Sequence, residues 1–467
     1  MVRRPHIVQV LVDDMGCGDF GVFSEGRTCT PVLDDLIEQG VCLTQHYSAS
    51  PICAPARAAL LTGRYPHRTG AIETRELRGL CNMALKETTI ADILKRNGYA
   101  TGLIGKWHNG CLGKKFHPNA RGFDEFAGFR SGWQDYWKWV LDRNGKFEKS
   151  DGRYLTDVFT EEAVQFLRRH RGQPFFLHLA YNAPHTPLQA PEDEIRPFAE
   201  TGRYTRGVSA IYGMVRRIDR GMERLLDELN RLGIEENTLV MFTSDNGPQF
   251  GGKGENSTTR FNCNFNGAKG NVYEGGIRVP MILRWPAGLA GRRRFDEMVH
   301  FCDWLPTLLA AAGVDVPKGL KIDGENVLPV LRGDGGSVPT KRFWQWNRYQ
   351  PLVTTNAAMR DGEWKLVRPV IKEASWTDPA EQKLDAAFRD EPWREFEPIR
   401  GPFPSREVPE PPTPQLFNIA EDPEERHDLA AREPDRARRM LRELETWFEE
   451  VEAERAAIEN WPKGYNE

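Results

Sequence analysis

The sequence lacks any apolar run that approaches the roughly 18 to 20 residues needed to cross a membrane. The apolar start of the chain, from Ile7 to Val12, is cut off by Asp13 and Asp14 before it could form the core of a signal peptide. A strong charge of either sign is also missing, because 63 Lys and Arg nearly balance 67 Asp and Glu. We therefore expect no membrane span and no nucleic-acid partner. The chain is expected to be either cytoplasmic or an exported protein whose leader has been removed.

Paired cysteine motifs are absent as well. None of the eight cysteines belongs to a Cys-x-x-Cys pair, which argues against a zinc ribbon and a thioredoxin-type redox motif. The chain does contain enough apolar material for a large core, since 39% of its 467 residues are hydrophobic and 10% are aromatic. This composition excludes general disorder and predicts a globular protein with one large domain and a smaller one.

Four short apolar runs predict buried strands that each stop at polar residues. They cover residues 6–12, 99–104, 174–180 and 238–243. Helical patterns, such as residues 89–97 and 210–232, fall between them. This alternation favours an α/β fold with a large, mostly parallel sheet sandwiched by helices. Ligands of such sheets bind beyond the carboxyl ends of the strands, so we expect the polar residues there to converge on one site.

A change in composition near residue 335 predicts a boundary between a large α/β domain, residues 1–335, and a smaller α+β subdomain, residues 336–467. An Asp-Gly turn at Asp361 predicts an antiparallel sheet in the smaller part. In chain order, this part is expected to contain strands over residues 343–347 and 357–367, a long proline-rich surface loop over 372–414, and an amphipathic helix over 434–454.

The most informative segment contains Cys53-x-Pro55-x-Arg57, followed by Thr62-Gly63-Arg64. Taken alone, Cys-x-Pro-x-Arg is equally compatible with a functional cysteine and with a buried thiol beside a turn proline. Further motifs are Gly105-Lys106-Trp107-His108, Asn182-Ala183-Pro184-His185, and Gly267-Ala268-Lys269-Gly270 with Tyr273-Glu274-Gly275-Gly276. With all of these in order, the sequence strongly resembles the type I sulfatases over essentially the whole chain. The resemblance implies the fold of the alkaline phosphatase superfamily.

The resemblance also implies how Cys53 acts. In this family a maturation enzyme reads the unfolded Cys-x-Pro-x-Arg segment and oxidises the cysteine to formylglycine, whose hydrated aldehyde is the nucleophile. By this resemblance, Cys53 is the residue that becomes formylglycine, and Arg57 stabilises it. Lys106 and His108 hold the diol, and His108 is the base. His185 and Lys269 contact the sulfate and its bridging oxygen. Either His185 or Lys269 is expected to protonate the leaving alcohol.

Two acidic motifs predict a metal site. Asp13 and Asp14 follow the first predicted strand, and Asp245 and Asn246 follow the fourth. Taken singly, such pairs are more often helix caps or hairpin turns. Together they offer only oxygen ligands, which suit a hard cation of the calcium or magnesium type, and the resemblance favours calcium. The net charge of the assembled site is positive when three carboxylates, one divalent ion and the three cationic side chains of the motifs are summed. A positive site suits a sulfate monoester.

An aromatic segment, residues 131–139, is compatible with packing beneath a loop or with a wall on which sugar rings stack. Active-site loops and domain junctions commonly determine specificity, so aromatic and polar residues of the C-terminal part are candidates too. The candidate substrate-binding residues are Trp133, Trp137, Asn109, Trp346 and Arg348. They favour a sulfated carbohydrate over a simple aryl sulfate as the substrate.

Other functions stay open at this point. They are an arylsulfatase of broad specificity, a phosphonate or phosphodiester hydrolase of the same superfamily, and a noncatalytic protein that binds sulfated glycans. The candidate enzyme functions can be distinguished by measuring turnover of an aryl sulfate, a phosphate diester and a phosphonate ester in parallel. If the protein only binds sulfated glycans, Cys53 is expected to stay a thiol. The presence of every expected polar residue favours the sulfatase.

Overall fold

The computed structural model describes residues 4–251 and 256–458. These residues fold around a large sheet and two smaller ones. The strands are β1 (His6–Val12), β2 (Val41–Leu43), β3 (His46–Tyr47), β4 (Ala100–Lys106), β5 (Glu125–Phe129), β6 (Val140–Arg143), β7 (Lys146–Lys149), β8 (Phe175–Ala180), β9 (Thr238–Ser244), β10 (Met281–Arg284), β11 (Arg293–Phe295), β12 (Val299–His300), β13 (Lys341–Gln345), β14 (Ala357–Asp361), β15 (Trp364–Arg368) and β16 (Gln415–Asn418).

The helices pack on both faces of the large sheet or, near the C-terminus, against other parts of the chain such as β14 and β15. They are α1 (Pro31–Gln39), α2 (Cys53–Thr62), α3 (Pro66–Thr69), α4 (Ile90–Arg96), α5 (Leu155–His170), α6 (Glu192–Ala199), α7 (Arg206–Arg231), α8 (Glu274–Ile277), α9 (Trp304–Ala311), α10 (Leu328–Arg332), α11 (Pro379–Asp390) and α12 (Pro434–Ala456). Among the described residues, none of these helices combines the length and the apolar character that a bilayer crossing requires.

The large sheet has ten strands in the order β11-β2-β10-β9-β1-β8-β4-β5-β6-β7. Its centre is parallel, since β1 pairs in parallel with β8 and β9, and β4 pairs in parallel with β8 and β5. Antiparallel pairing occurs towards its edges, at β10 and at the β6–β7 hairpin. The predicted α/β fold with a mostly parallel sheet is therefore confirmed.

Strand β1 shows how the sequence builds the core. Val8 and Val10 belong to one apolar cluster, which also contains residues of α5 and α7. Ile7 and Leu11 belong to a second cluster, with residues of α2, α4 and α9. Because successive side chains point to opposite faces of a strand, these two clusters lie on the two faces of the sheet. Each fully buried Val, Ile or Leu stabilises the fold by about 1.5–3 kcal/mol relative to an exposed one.

The C-terminal part contains a four-stranded antiparallel sheet in the order β13-β14-β15-β16. Gly362 and Glu363 form the turn between β14 and β15, one residue beyond the position that the Asp-Gly pair predicts. This sheet and the terminal helix α12 confirm the expected α+β character of the region. The division of the chain at residue 335 stays a prediction.

The prediction of one long loop over residues 372–414 was wrong for α11. Asp378 caps this helix by accepting a hydrogen bond from the amide of Ala380, and Pro379 occupies its first turn. Its inner face buries Phe388, and Glu381 forms an ion pair with Arg78 at 2.6 Å. The many charged residues of this stretch suggested a solvated loop. Some of them instead form ion pairs with residues more than 300 positions away in the sequence.

Candidate active site

The carboxyl ends of the central strands meet at one edge of the large sheet. Asp13 directly follows β1, Asp245 directly follows β9, and Lys106 is the last residue of β4. Val12 pairs with Ser244 across β1 and β9, so the two aspartates leave the sheet at the same level. The topology therefore brings together residues that are more than 230 positions apart in the sequence.

Asp13 and Asp14 form the anionic centre of this edge. Single oxygen, sulfur or nitrogen atoms of Asp13, Asp14, Cys53 and His185 all lie within 4.8 Å of one another. Asp14 has a φ of 68°, a left-handed conformation that aspartate tolerates better than most residues, and its amide donates to Asp245 Oδ1 at 3.3 Å. Both aspartates are almost fully buried. Four of the predicted catalytic and metal-binding residues thus share one cluster.

Cations neutralise these carboxylates one by one. Lys106 Nζ lies 2.6 Å from Asp13 Oδ2, and Lys269 Nζ lies 2.8 Å from Asp14 Oδ1. Arg57 contacts Asp245 Oδ2 through Nε at 2.9 Å and Nη2 at 2.8 Å. Burial alone would raise the pKa of Asp13, but Lys106 and the other surrounding cations outweigh it and hold that pKa far below its ordinary value. Asp13 is therefore an ionised carboxylate at neutral pH.

Cys53 is the first residue of α2, which places it where the partial positive charge of the helix is strongest. Its Sγ lies 3.5 Å from Asp13 Oδ1, and the residue is 2% exposed. Burial, followed by the negative charge of Asp13, raises the pKa of the thiol to about 12. A thiol with such a pKa stays protonated and is a weak nucleophile at neutral pH.

Two imidazoles face this centre. His185 Nδ1 lies 2.7 Å from the carbonyl oxygen of Thr186, so Nδ1 carries the proton and Nε2, 3.8 Å from Asp14 Oδ2, presents its lone pair. Both ring nitrogens of His108 are buried without a hydrogen-bond partner among the described residues. Burial and Lys106 lower the pKa of His108 well below its ordinary value, and burial and Lys269 lower the pKa of His185 to about 4. Both rings are therefore neutral at neutral pH.

The donor set fits a hard divalent cation. Asp13, Asp14, Asp245 and Asn246 are all buried and supply oxygen atoms. Asn246 Nδ2 donates to Asp14 Oδ1 at 2.7 Å, while its Oδ1 is buried and has no hydrogen-bond partner among the described residues. A buried acceptor of this kind is costly unless a cation or a donor compensates it. Carboxylate and amide oxygens are the ligands that calcium and magnesium prefer.

A cavity of about 960 Å³ opens above this centre. Cys53, His108, His185 and Lys269 contribute to its lining, as do the predicted substrate-binding residues Trp133, Trp346 and Arg348. A space of this size is at the upper end of ordinary small-molecule sites. Through Trp346 and Arg348, the C-terminal part of the chain contributes to the wall of the candidate site.

Two of the predicted substrate-binding residues lie elsewhere. Asn109 is 1% exposed and donates through Nδ2 to the carbonyl oxygen of Ala54 at 2.8 Å, so it braces α2 beneath the cavity. Trp137 is 38% exposed and packs against Tyr154 rather than lining the cavity. Of the two tryptophans predicted from the aromatic segment, Trp133 therefore lines the cavity and Trp137 does not.

Several other residues of the cavity wall were not predicted from the sequence. They are Arg75 and Glu76, which follow the Thr-Gly-Arg motif, and Arg389 of α11. Arg389 Nη2 lies 2.9 Å from Glu76 Oε2, and Glu76 Oε1 accepts the amide hydrogen of Gly132 at 2.7 Å. The run Glu73-Thr74-Arg75-Glu76 is the one signal that could have drawn attention to this wall.

Comparison with family profiles gives two matches. The profile described as Sulfatase matches residues 5–314, and the profile described as N-sulphoglucosamine sulphohydrolase, C-terminal, matches residues 267–384. Human N-acetylgalactosamine-6-sulfatase is 35% identical over 397 residues, which cover 74% of this chain and 72% of that protein. Mouse steryl-sulfatase is 33% identical over 422 residues, which cover 71% of this chain and 66% of that protein. The chain thus spans about two thirds of the length of these curated relatives.

Solved structures are similar over the whole chain. The crystal structure of Ps i-CgsB in complex with k-i-k-neocarrahexaose aligns with a TM-score of 0.79 and 29% identity, covering 100% of both chains. The PsFucS1 sulfatase from Pseudoalteromonas sp. aligns with a TM-score of 0.73 and 24% identity, covering 98% of this chain and 92% of that chain, and this second likeness shows the fold alone.

Proposed function

Since this chain belongs to the sulfatase family, whose members are sulfuric ester hydrolases, we propose that it cleaves sulfate monoesters of a carbohydrate through a formylglycine at position 53 and a divalent cation. The observation that carries this proposal is the position of Cys53, at the start of a helix and 3.5 Å from a carboxylate that is paired with Lys106. An unmodified thiol held neutral by its surroundings is poorly suited to attack there, whereas a diol at the same place is well suited.

The cation is assigned to Asp13, Asp14, Asp245 and Asn246, and calcium is the ion that we favour. When bound, it supplies a Lewis acid that polarises the sulfate and neutralises charge on its oxygens. The rest of the positive field comes from the chain itself. Lys269 and the amino end of α2 face the same point, where the sulfate oxygens become more negative in the transition state.

Each of the remaining groups has a role that its contacts support. A formylglycine at position 53 supplies a geminal diol, in which one hydroxyl attacks sulfur and the other permits release of sulfate as the carbonyl re-forms. Arg57 orients this side chain through Asp245 and through its bond to the carbonyl oxygen of Lys106 at 3.1 Å. Lys106 and the neutral His108 hold the diol, and His108 accepts a proton.

His185 and Lys269 are assigned to the sulfate and its bridging oxygen. Both line the cavity on the side of Asp14, which His185 approaches at 3.8 Å and Lys269 at 2.8 Å. One of them passes a proton to the leaving alcohol. Loss of the acid slows esters of poor leaving groups far more than those of good ones, so parallel kinetics of His185→Asn and Lys269→Ala with both ester types would identify it.

A carbohydrate substrate is supported by the shape of the site. The cavity of about 960 Å³ exceeds what an aryl sulfate needs, and its walls carry Trp133 and Trp346, whose faces suit sugar rings. The names of two relatives agree with this direction, since one is an N-acetylgalactosamine-6-sulfatase and one was crystallised with k-i-k-neocarrahexaose.

The proposal is tested by mass analysis of the peptide that contains position 53. Cys53 is 2% exposed, so a formylglycine-generating enzyme must act before folding, and co-expression with that enzyme is expected to yield the modified residue and turnover of an aryl sulfate. Cys53→Ala is expected to lose turnover, whereas Cys29→Ala, at an exposed cysteine, retains it. An unmodified thiol together with full turnover would contradict the mechanism. A higher kcat/KM for a phosphate diester or a phosphonate ester would contradict the substrate class.

A further inference from the structure

Two arginine–tryptophan pairs form part of the cavity wall. The guanidinium carbon of Arg389 lies 5.4 Å from the centre of the Trp133 ring, and that of Arg348 lies 5.0 Å from the centre of the Trp346 ring. All four residues line the cavity. An indole face attracts a planar guanidinium and restricts its orientation. Each pair therefore presents a cation directly beside an aromatic surface.

A buried glutamate holds each guanidinium from behind. Arg389 donates through Nε and Nη2 to the two carboxylate oxygens of Glu76, at 3.0 and 2.9 Å. Arg348 Nη1 forms an ion pair with Glu73 and also donates to Thr74 Oγ1 at 2.8 Å. The side chains of Glu73 and Glu76 are 0% exposed, whereas those of Arg348 and Arg389 are 20% and 12% exposed. In each of these ion pairs the arginine is thus the more exposed member.

The two pairs lie next to different groups of the reacting centre. Beside the first, a methyl group on Gly132 would come within 2.9 Å of His108 Cε1 and 3.1 Å of Glu76 Oε1, so Glu76 and His108 are near neighbours. In the second, Trp346 packs against Cys53 and lies beside Gly270. A substrate whose ester sulfate reaches position 53 therefore meets both cationic groups in the wall of the same cavity.

The arginines retain capacity for an anion. Glu76 occupies two of the three nitrogens of Arg389, and within the described residues Nη1 makes no further hydrogen bond. Arg348 donates to Glu73 and Thr74 through Nη1, and within the described residues its Nη2 makes no hydrogen bond. Because the glutamates fix both guanidinium groups before any ligand arrives, little side-chain entropy is lost when an anion binds.

We propose that these pairs recognise a second anionic substituent of the substrate, on a sugar adjacent to the one that loses sulfate. This inference rests on the sulfatase function proposed above and extends it to a substrate class, oligosaccharides with at least two anionic groups. A guanidinium binds sulfate or carboxylate through charge-assisted hydrogen bonds, and the indole of Trp133, which is less buried than that of Trp346, covers the apolar face of the sugar ring. Arg348, Arg389 and their glutamates are then specificity-determining residues.

The test compares oligosaccharides of one backbone that carry the scissile sulfate alone, with a second sulfate, or with a uronate carboxylate. The matured enzyme is expected to prefer the second or third substrate, and the preferred one identifies the anion. Arg389→Met and Arg348→Met remove the charge and keep most of the side-chain volume. Each is expected to lower the preference in kcat/KM by roughly ten- to a hundredfold, the loss of a charged hydrogen bond. The change is expected in KM, because the second anion does not react.

Matched controls separate recognition from a structural role. Arg224→Met removes an arginine from an exposed ion pair with Glu161 at 2.6 Å and is expected to leave the preference unchanged. Arg389→Lys is expected to restore part of it. Equal losses for the singly and doubly charged substrates in Arg389→Met and Arg348→Met would show that the pairs only support the wall and would overturn the inference.

A binding measurement keeps this test independent of turnover. Calorimetry with Cys53→Ala is expected to show tighter binding of the doubly charged oligosaccharide, and the added Arg389→Met change is expected to remove the difference. If the matured wild type cleaves an aryl sulfate but neither cleaves nor binds the doubly charged glycan better, the inference fails and the sulfatase function stands. If no sulfate ester is cleaved, the proposed function fails, and calorimetry alone decides whether the second anion is recognised.

Discussion

Asp245 joins the cationic and anionic parts of the site, because it pairs with Arg57 and is an assigned metal ligand. We expect Asp245→Asn to lose the bound divalent cation and to lower turnover roughly 100-fold or more. The amide oxygen can still accept one hydrogen bond from Arg57, so the expected loss of unfolding free energy is about 1–3 kcal/mol. Metal content by elemental analysis, steady-state kinetics and urea unfolding measure the three effects.

Asp219 provides the control for this variant. It is a buried carboxylate of α7 that accepts the amide hydrogen of Leu33 at 2.8 Å and takes no part in the site. Asp219→Asn is expected to keep the wild-type metal content. Retention of metal and turnover by Asp245→Asn would remove Asp245 from the metal site.

Single residues were predictable from the sequence where chemistry is concentrated in contiguous motifs. Asp13, Asp14 and Cys53 stand in such motifs, and the structure places them in one cluster with His185. Contacts such as that between Glu76 and Arg389 were not predictable, because the two residues are 313 positions apart and neither stands in a motif. Long-range pairing of ordinary surface residue types leaves no local pattern to detect.

The antiparallel sheet holds the segment that carries Lys269, and Asn356, just before β14, makes the connection. Its Nδ2 donates to the carbonyl oxygen of Gly270 at 2.8 Å, and its Oδ1 accepts the amide hydrogen of Val272 at 3.0 Å. Asn356 also has a φ of 46°, which alanine tolerates poorly. We expect Asn356→Ala to lower kcat about tenfold or more, because Lys269 loses its fixed position.

A purely structural role would predict lower stability without a specific change in catalysis. Asn356→Ala is therefore also compared on esters of good and poor leaving groups, whose rates should diverge if Lys269 is displaced. Asn237→Ala is the matched control, since Asn237 bonds the carbonyl oxygen of Arg4 at the far end of β9. A wild-type kcat for Asn356→Ala would contradict this role of the antiparallel sheet.

Elements were predictable in proportion to their internal regularity. The four central strands are continuous apolar runs, and the structure confirms them to within two residues. Helix α11 was missed because its apolar content is low and its inner face is largely ionic, with Asp385 bonding the amide of Leu77 at 3.0 Å. Only the opposing segment, residues 73–78, gives these charges a buried environment, and its position depends on the complete fold.

The whole molecule is connected by a buried ion cluster between its two larger sheets. Lys365 Nζ of β15 lies 2.8 Å from Glu274 Oε1 and 2.9 Å from Glu425 Oε1, and all three side chains are 0% exposed. Glu274 begins α8, directly after the segment of Lys269. Leu11 of β1, Leu366 of β15 and helix α12 also share one apolar cluster. We therefore expect the described chain to unfold in one cooperative transition rather than in two.

Lys365→Met tests this connection. Removal of the ammonium leaves Glu425 without its lysine partner and Glu274 with Arg278 at 3.4 Å, and the expected loss of unfolding free energy is about 3–5 kcal/mol. Burial raises the pKa of Glu425 to about 7 even with Lys365 opposing it, whereas Lys365 and Arg278 outweigh burial and lower the pKa of Glu274 to about 2. Both pKa values should be higher without the lysine. A carboxyl group whose folded-state pKa exceeds its unfolded value loses stability as pH rises, so the loss should be larger at about pH 8 than at about pH 5.

The control is Lys341→Met, at a lysine of β13 that is 46% exposed and pairs with Glu443 at 2.7 Å. Because solvent screens this pair, its removal should cost less than about 1 kcal/mol at either pH. If Lys365→Met were as mild as Lys341→Met, the buried cluster would contribute little to joining the two sheets. If wild-type unfolding showed two separated transitions, the parts on either side of residue 335 would be independent, and Asn356 could not hold Lys269 through the antiparallel sheet.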